Sequence, residues 1–329
     1  MRVAITGGTG FLGRAVVAAL VERGVKASDL RVVARSTHPE LDALEVVQTG
    51  ASILDDTALA AAFDGVDVVY HLAGMVSREP GDSAKMEALH VGGTKAVLQA
   101  AQTAGAKRVV YASSSGTVGC FDTPDGLAHD KSDFCDALTR EWPYYVTKIA
   151  AERAAWAFHR RTGFPVISMN PSLILGPGDD RGSSTGDVQL FLNRKLPSVP
   201  WGGISFVDVR DLAPVFVRAA TDGEIGTRYL LGARNMTMAA FLKDLERLAG
   251  VKGPRLRLPK AVELVGARLM EGVVRRLGKV PDLDYVSAQL SQHYWYIDST
   301  RASEDLAFAP RATDDTLMDT ITYLRAQGG

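Results

Sequence analysis

Short β-branched runs alternate with longer stretches of helical period along the first two-thirds of the chain. Strands are predicted at 2–6 (RVAIT), 30–34 (LRVVA), 45–48, 66–72 (VDVVYHL), 108–113 (RVVYAS) and 164–170. Helices are predicted at 11–23, stopped by Gly24, and at 56–63, 85–104 and 144–162. The run 66–72 is apolar on both faces, as a strand covered from both sides is. Strands that alternate with helices in this way predict an α/β fold with a doubly wound parallel sheet.

The pattern changes after residue 172. Residues 175–200 are rich in Gly, Pro, Ser and Asp and predict a loop. Residues 204–209 and 212–220 predict one more strand and helix of the sheet. From about 226 the chain reads as a smaller, mostly helical lobe covering the carboxyl ends of the strands, where such sheets bind ligands. The predicted division is 1–172 plus about 203–225, against about 173–202 plus 226–329. Within the second part, 260–279 (KAVELVGARLMEGVVRRLGK) is amphipathic and basic. Such a helix either packs its Val/Leu/Met stripe on the domain or lies on a membrane surface; packing is the expectation.

Composition narrows the classes. The 329 residues are 46% hydrophobic and 23% charged, with a net charge of −1. No global field attracts nucleic acid or an anionic membrane. Two cysteines, Cys120 and Cys135, supply neither a disulfide framework nor a metal cage, and predict reduced thiols in the cytoplasm. The N-terminus reads as a strand and a glycine turn rather than a secretory signal. No apolar run has the roughly 20 residues of a membrane span.

Chemistry enters at TGGTGFLG, residues 6–13. Gly7, Gly10 and Gly13 are spaced three apart between the first strand and the first helix. The first permits a tight turn, the second a close approach by a pyrophosphate, and the third close packing of helix on strand. The helix N-terminus then offers free N–H groups to phosphates. The second strand ends at Ala34-Arg35-Ser36, with no carboxylate to hold a ribose 2′-hydroxyl. Arg35 suits a 2′-phosphate instead, which favours NADP(H) over NAD(H).

In PYYVTKIAAE, residues 143–152, Tyr144 and Lys148 are one helical turn apart on one face, whereas Tyr145 has Ile149 at that spacing. A nearby ammonium is expected to lower the phenol's pKa and fit it for proton transfer. Ser113, Ser114 and Ser115 close the strand that ends at RVVYAS, at a tip that faces a ligand. Spacing alone does not choose among the three.

With TGGTGFLG, HLAG (71–74), SSSGTVG, YYVTK and NPSLILGPG (170–178) in order, the chain resembles the extended short-chain dehydrogenases/reductases. It is nearest to dihydroflavonol-reductase-like and 3β-hydroxysteroid-dehydrogenase-like members. The resemblance implies a Rossmann cofactor domain with a smaller C-terminal substrate lobe. It implies Tyr144 as acid/base, Lys148 on the nicotinamide ribose and Ser114 as the serine, with Ser115 as the alternative. It places Gly7, Thr9, Gly10, Phe11, Leu12, Gly13, Arg35, Ser52, Ile53, Leu72, Ala73, Gly74, Asn170, Pro171 and Leu173 around the cofactor. Ser52 stands where relatives carry Asp, and His90 where many carry Asn. Ile204 and Leu173 replace the Arg and Asn with which nucleotide-sugar enzymes of the family hold their substrate. That points to a small hydrophobic carbonyl or alcohol substrate, with Met236, Met238, Phe241, Met270 and 294–296 (YWY) as pocket candidates. Competing readings are a nucleotide-sugar epimerase/dehydratase with bound NAD and a non-enzymatic cofactor sensor. A homodimer is implied, through helices 85–104 and 144–162. No metal is expected.

Overall fold

In a computed structural model, residues 1–279, 281 and 284–328 are described; 280, 282, 283 and 329 of the predicted C-terminal lobe lie outside the described residues. The strands are β1 Val3–Thr6, β2 Leu30–Ala34, β3 Val47–Gly50, β4 Val68–His71, β5 Arg108–Ala112, β6 Val166–Pro171, β7 Leu173–Leu175, β8 Gly203–Asp208, β9 Arg228–Leu231 and β10 Arg234–Thr237. Seven form one parallel sheet in the order β3-β2-β1-β4-β5-β6-β9. β1, β4, β6 and β9 are buried along their whole length, because helices cover both faces.

One face carries the helices Phe11–Glu22 and Val209–Ala219, packed through residues such as Val17, Leu20 and Phe216. The other carries Asp56–Phe63, Gly93–Thr103 and Pro143–Thr162, packed through Phe63, Leu98, Ala151 and Phe158. Strand order reverses between β1 and β4, which opens the crevice where doubly wound sheets take ligands. Register brings Thr6 beside His71 and His71 beside Tyr111, so the tips of β1, β4 and β5 line up at that crevice.

Several expectations are corrected. The strand at 204–209 is not part of the main sheet. It is β8, in a second three-stranded sheet between β7 and β10, while β9 completes the main sheet. Phe206 enters one core cluster and Val207 another, so β8 is buried on both faces without joining the main sheet. The predicted loop 175–200 contains the helix Gly186–Leu192, whose Val188 and Phe191 are buried beside Phe241. The Gly/Ser-rich flanks hide this i,i+3 apolar pair. The helix 85–104 is broken: Ser83–Glu87 and Gly93–Thr103 flank a π turn at Ala88–Gly92, where His90 is buried.

Met236 and Phe241 lie in the core of the second sheet rather than in a pocket, and Met270 is largely exposed. The amphipathic helix Lys260–Arg276 does not pack its stripe on the domain: none of its residues is buried. Among the described residues no helix is long and apolar enough to cross a membrane.

Candidate active site

Backbone geometry explains the glycine loop. Gly7 has φ +71°, and a Cβ there would lie 2.7 Å from the Ala73 backbone after β4. A Cβ on Gly13 would lie 2.2 Å from the Gly7 carbonyl oxygen. Gly10 caps the helix Phe11–Glu22 with no side-chain cap and no acidic residue in the first turn. Its N–H groups therefore face the crevice with the positive end of the helix dipole, which suits a pyrophosphate. We expect Gly13→Ala to cost about 1–3 kcal/mol by overpacking and to weaken dinucleotide binding, read by denaturant unfolding and by NADPH fluorescence titration. Sequence reasoning missed Arg14, which braces this loop. It is buried and donates to the Thr9 and Gly178 carbonyls while pairing with Glu40 and Asp180.

Arg35 is exposed beyond β2 and has no ion pair or hydrogen bond among the described residues, so its guanidinium is available to a ligand. The Ser52 hydroxyl accepts from the Leu54 N–H, and Ile53 is buried, facing Gly93 in the core. Leu72, Ala73 and Gly74 continue β4 at the crevice. A Cβ on Gly74 would lie 3.5 Å from His90 Nε2 and 3.7 Å from Lys148 Nζ, so these three residues converge.

Pro143 at the first turn starts the helix Pro143–Thr162, and Gly163 at φ +70° ends it. Tyr144 is half-buried and Lys148 buried. The expected lowering of the phenol's pKa by the ammonium is not what the structure shows. Burial pushes Tyr144 above its ordinary 10, opposed by a hydrogen bond from Ser114. Lys148 Nζ donates to the Ala112 carbonyl at 3.0 Å, and burial lowers it to about 8, opposed by Glu152. The phenol is therefore neutral at pH 7, the form that gives a proton.

Of the three serines, Ser114 is the one beside Tyr144. Ser113 donates to Glu152 at 2.6 Å, and Ser115 is buried in the turn that follows. Sequence reasoning also missed Glu152, one turn beyond Lys148. It is fully buried and receives Ser113, Thr117 and Asn170 on one oxygen, with Arg228 at 2.6 Å and Trp156 at 3.3 Å on the other. Asn170 also donates to the Ser114 carbonyl at 2.9 Å, so its amide holds the serine tip from behind; Pro171 is buried beside it and Leu173 begins β7 half-buried. The spacing Tyr-x₃-Lys-x₃-Glu was the available signal.

His90 is buried, neutral and held near pKa 3 chiefly by burial. It bridges the Thr147 hydroxyl at 2.9 Å and the Met75 backbone. Tyr145 faces elsewhere. Its ring stacks on Trp295 at 4.8 Å, with Trp142 edge-on at 6.2 Å, and makes an aromatic wall beside Tyr144. Among the described residues there is no cluster fit for a metal.

The model of the NAD dependent epimerase/dehydratase family matches residues 3–232. Sterol demethylase protein B of Methylococcus capsulatus is 31% identical over 331 residues, covering 100% of this chain and 99% of that protein. A 3β-hydroxysteroid dehydrogenase/Δ5→4-isomerase of Mycobacterium tuberculosis is 29% identical, covering 98% and 90%. The solved structure of gox2253 superposes with a TM-score of 0.85 at 28% identity, over 99% of this chain and 98% of that one. The chain belongs to the NAD-dependent epimerase/dehydratase family of extended short-chain dehydrogenases/reductases, and is an oxidoreductase.

Proposed function

We propose an NADP(H)-dependent enzyme that interconverts a ketone and a secondary alcohol on a hydrophobic small molecule. The carrying observation is a neutral, half-buried Tyr144 beside Ser114, with the buried Lys148 one turn along the same helix and the Tyr145–Trp295 wall adjoining. The glycine loop, Arg35 and the Leu72–Gly74 strand tip are the residues that would hold the dinucleotide, and the loop's bare helix end fits its phosphates. When bound, the nicotinamide supplies the hydride. Tyr144 Oη gives its proton to the carbonyl oxygen in reduction, Ser114 orients that oxygen, and Lys148 holds the ribose.

Two observations support an apolar substrate over a nucleotide sugar. Ile204, at the position of a diphosphate-binding Arg, packs on an apolar cluster. Two of the similar proteins carry sterol or steroid names. Cofactor binding is assigned to the half that carries six of the seven strands of the main sheet, β1 to β6 (1–172 with about 203–225), and substrate binding to about 173–202 with 226–329, which also supplies the edge strand β9. A homodimer would form through the outer faces of Gly93–Thr103 and Pro143–Thr162. There Ala150 and Ala154 are partly exposed while Ala151 and Ala155 face the sheet.

The test is NADPH oxidation against sterol ketones, flavonoid-like ketones, β-keto compounds and aromatic aldehydes. Turnover of one or more hydrophobic ketones is expected, and activity only on nucleotide sugars without added cofactor would refute the reading. Arg35→Ala should weaken NADPH binding about 10–100-fold, the value of a charge-assisted hydrogen bond, and leave NADH binding unchanged. Equal loss for both cofactors would remove Arg35 from the 2′-phosphate site.

A further inference from the structure

The helix Lys260–Arg276 leaves a continuous apolar stripe in solvent. Val262, Val265, Leu269, Met270, Val273 and, just beyond its end, Leu277 are each more than half exposed. At about 100° per residue they fall within an arc of about 140°. Contiguous exposed apolar surface of this kind marks an interaction site. The charge around it is one-sided. Between residues 252 and 279 there are eight Lys or Arg against two acids, Glu263 and Glu271, in a chain whose net charge is −1. Both acids are engaged: Glu271 with Arg275 and the Tyr285 N–H, Glu263 with Ser198. Arg276 and Lys279, exposed at the end of the stripe, have no ion pair among the described residues.

We propose that this helix docks the protein on an anionic membrane surface. The stripe would sink to the headgroup–acyl boundary, with the flanking cations on acidic lipid headgroups. A second copy of the chain is a poor occupant, since pairing two such stripes brings two strongly cationic segments together. The helix is also placed for this role. Arg275 pairs with Glu79, and the neighbouring Arg78 donates to Ser287, so the helix and the segment after it are tied to the loop that leaves Gly74 at the cofactor crevice. A hydrophobic substrate leaving the bilayer would meet the protein beside its cleft. That consequence rests on the proposed function, whereas the docking itself does not.

The experiment is sedimentation of the full chain with vesicles of phosphatidylcholine alone, or with about 30 mol% phosphatidylglycerol, at low and high salt. Binding to the anionic vesicles is expected. It should fall at least about tenfold in Leu269→Glu and in Arg276→Glu combined with Lys279→Glu. Both variants change exposed residues, so unchanged NADPH binding and circular dichroism verify their fold independently of any substrate. No binding to anionic vesicles, or binding indifferent to Leu269→Glu, overturns the proposal. So does a wild-type dimer that Leu269→Glu turns into monomer without affecting vesicle binding.

Discussion

Tyr144→Phe is expected to lose about 10²–10⁴-fold in turnover, the contribution of a positioned general acid, while NADPH affinity and fold remain. The variant keeps the ring that lies 5.9 Å from His90 and 5.0 Å from Tyr145, so packing is preserved and only the hydroxyl disappears. Steady-state kinetics and NADPH titration separate the two effects: a fall in kcat with constant cofactor affinity supports the role, and retained turnover rejects it. The wild-type pH profile carries the same logic. Lys148 is a cation whose proton leaves at about 8 in the fold rather than at 10.5. Below that value it is charged; above it the ribose loses an ammonium partner. Reductive turnover should therefore fall as pH rises through about 8.

The second large effect is structural. Glu152→Gln keeps the volume but leaves the buried Arg228 guanidinium without its counter-charge; its other partners among the described residues, the Asp130 and Ser132 carbonyls and the Phe134 ring, carry no charge. Breaking one side of a buried ion pair costs about 3–5 kcal/mol. The same change loosens the acceptor shared by Ser113, Thr117 and Asn170, and with it the Ser114 tip. Denaturant unfolding reads the stability loss. Adding Arg228→Met to Glu152→Gln should recover part of it, since the orphaned charge is then gone. A Glu152→Gln protein as stable as wild type would show that the pair contributes nothing.

The parallel sheet, its helices and the placement of Tyr144, Lys148 and the glycine loop were legible because period and spacing are local signals. Which serine meets Tyr144 was not legible in spacing; only the family resemblance pointed to Ser114. That depends on Ser113 turning toward Glu152 and on Asn170 holding the Ser114 carbonyl, both contacts between distant segments. The neutral state of Tyr144 was hidden for the same reason: spacing shows a lysine one turn along but not that burial dominates, opposed by Ser114. The strand at 204–209 was assigned to the wrong sheet because a strand buried on both faces reads alike in either. At 260–279 the pattern favours packing over a membrane surface, because amphipathicity does not say what covers a stripe; Val262, Val265, Leu269 and Val273 are exposed.

The most direct test of the central claim follows a label. NADPH carrying deuterium at the transferring C4 position is incubated with the protein and a hydrophobic ketone that it turns over. The account predicts one deuterium on the carbinol carbon of the product alcohol, and loss of that labelled product in Tyr144→Phe. Product formed without the label, or conversion only of a nucleotide sugar with no NADPH consumed, would contradict it.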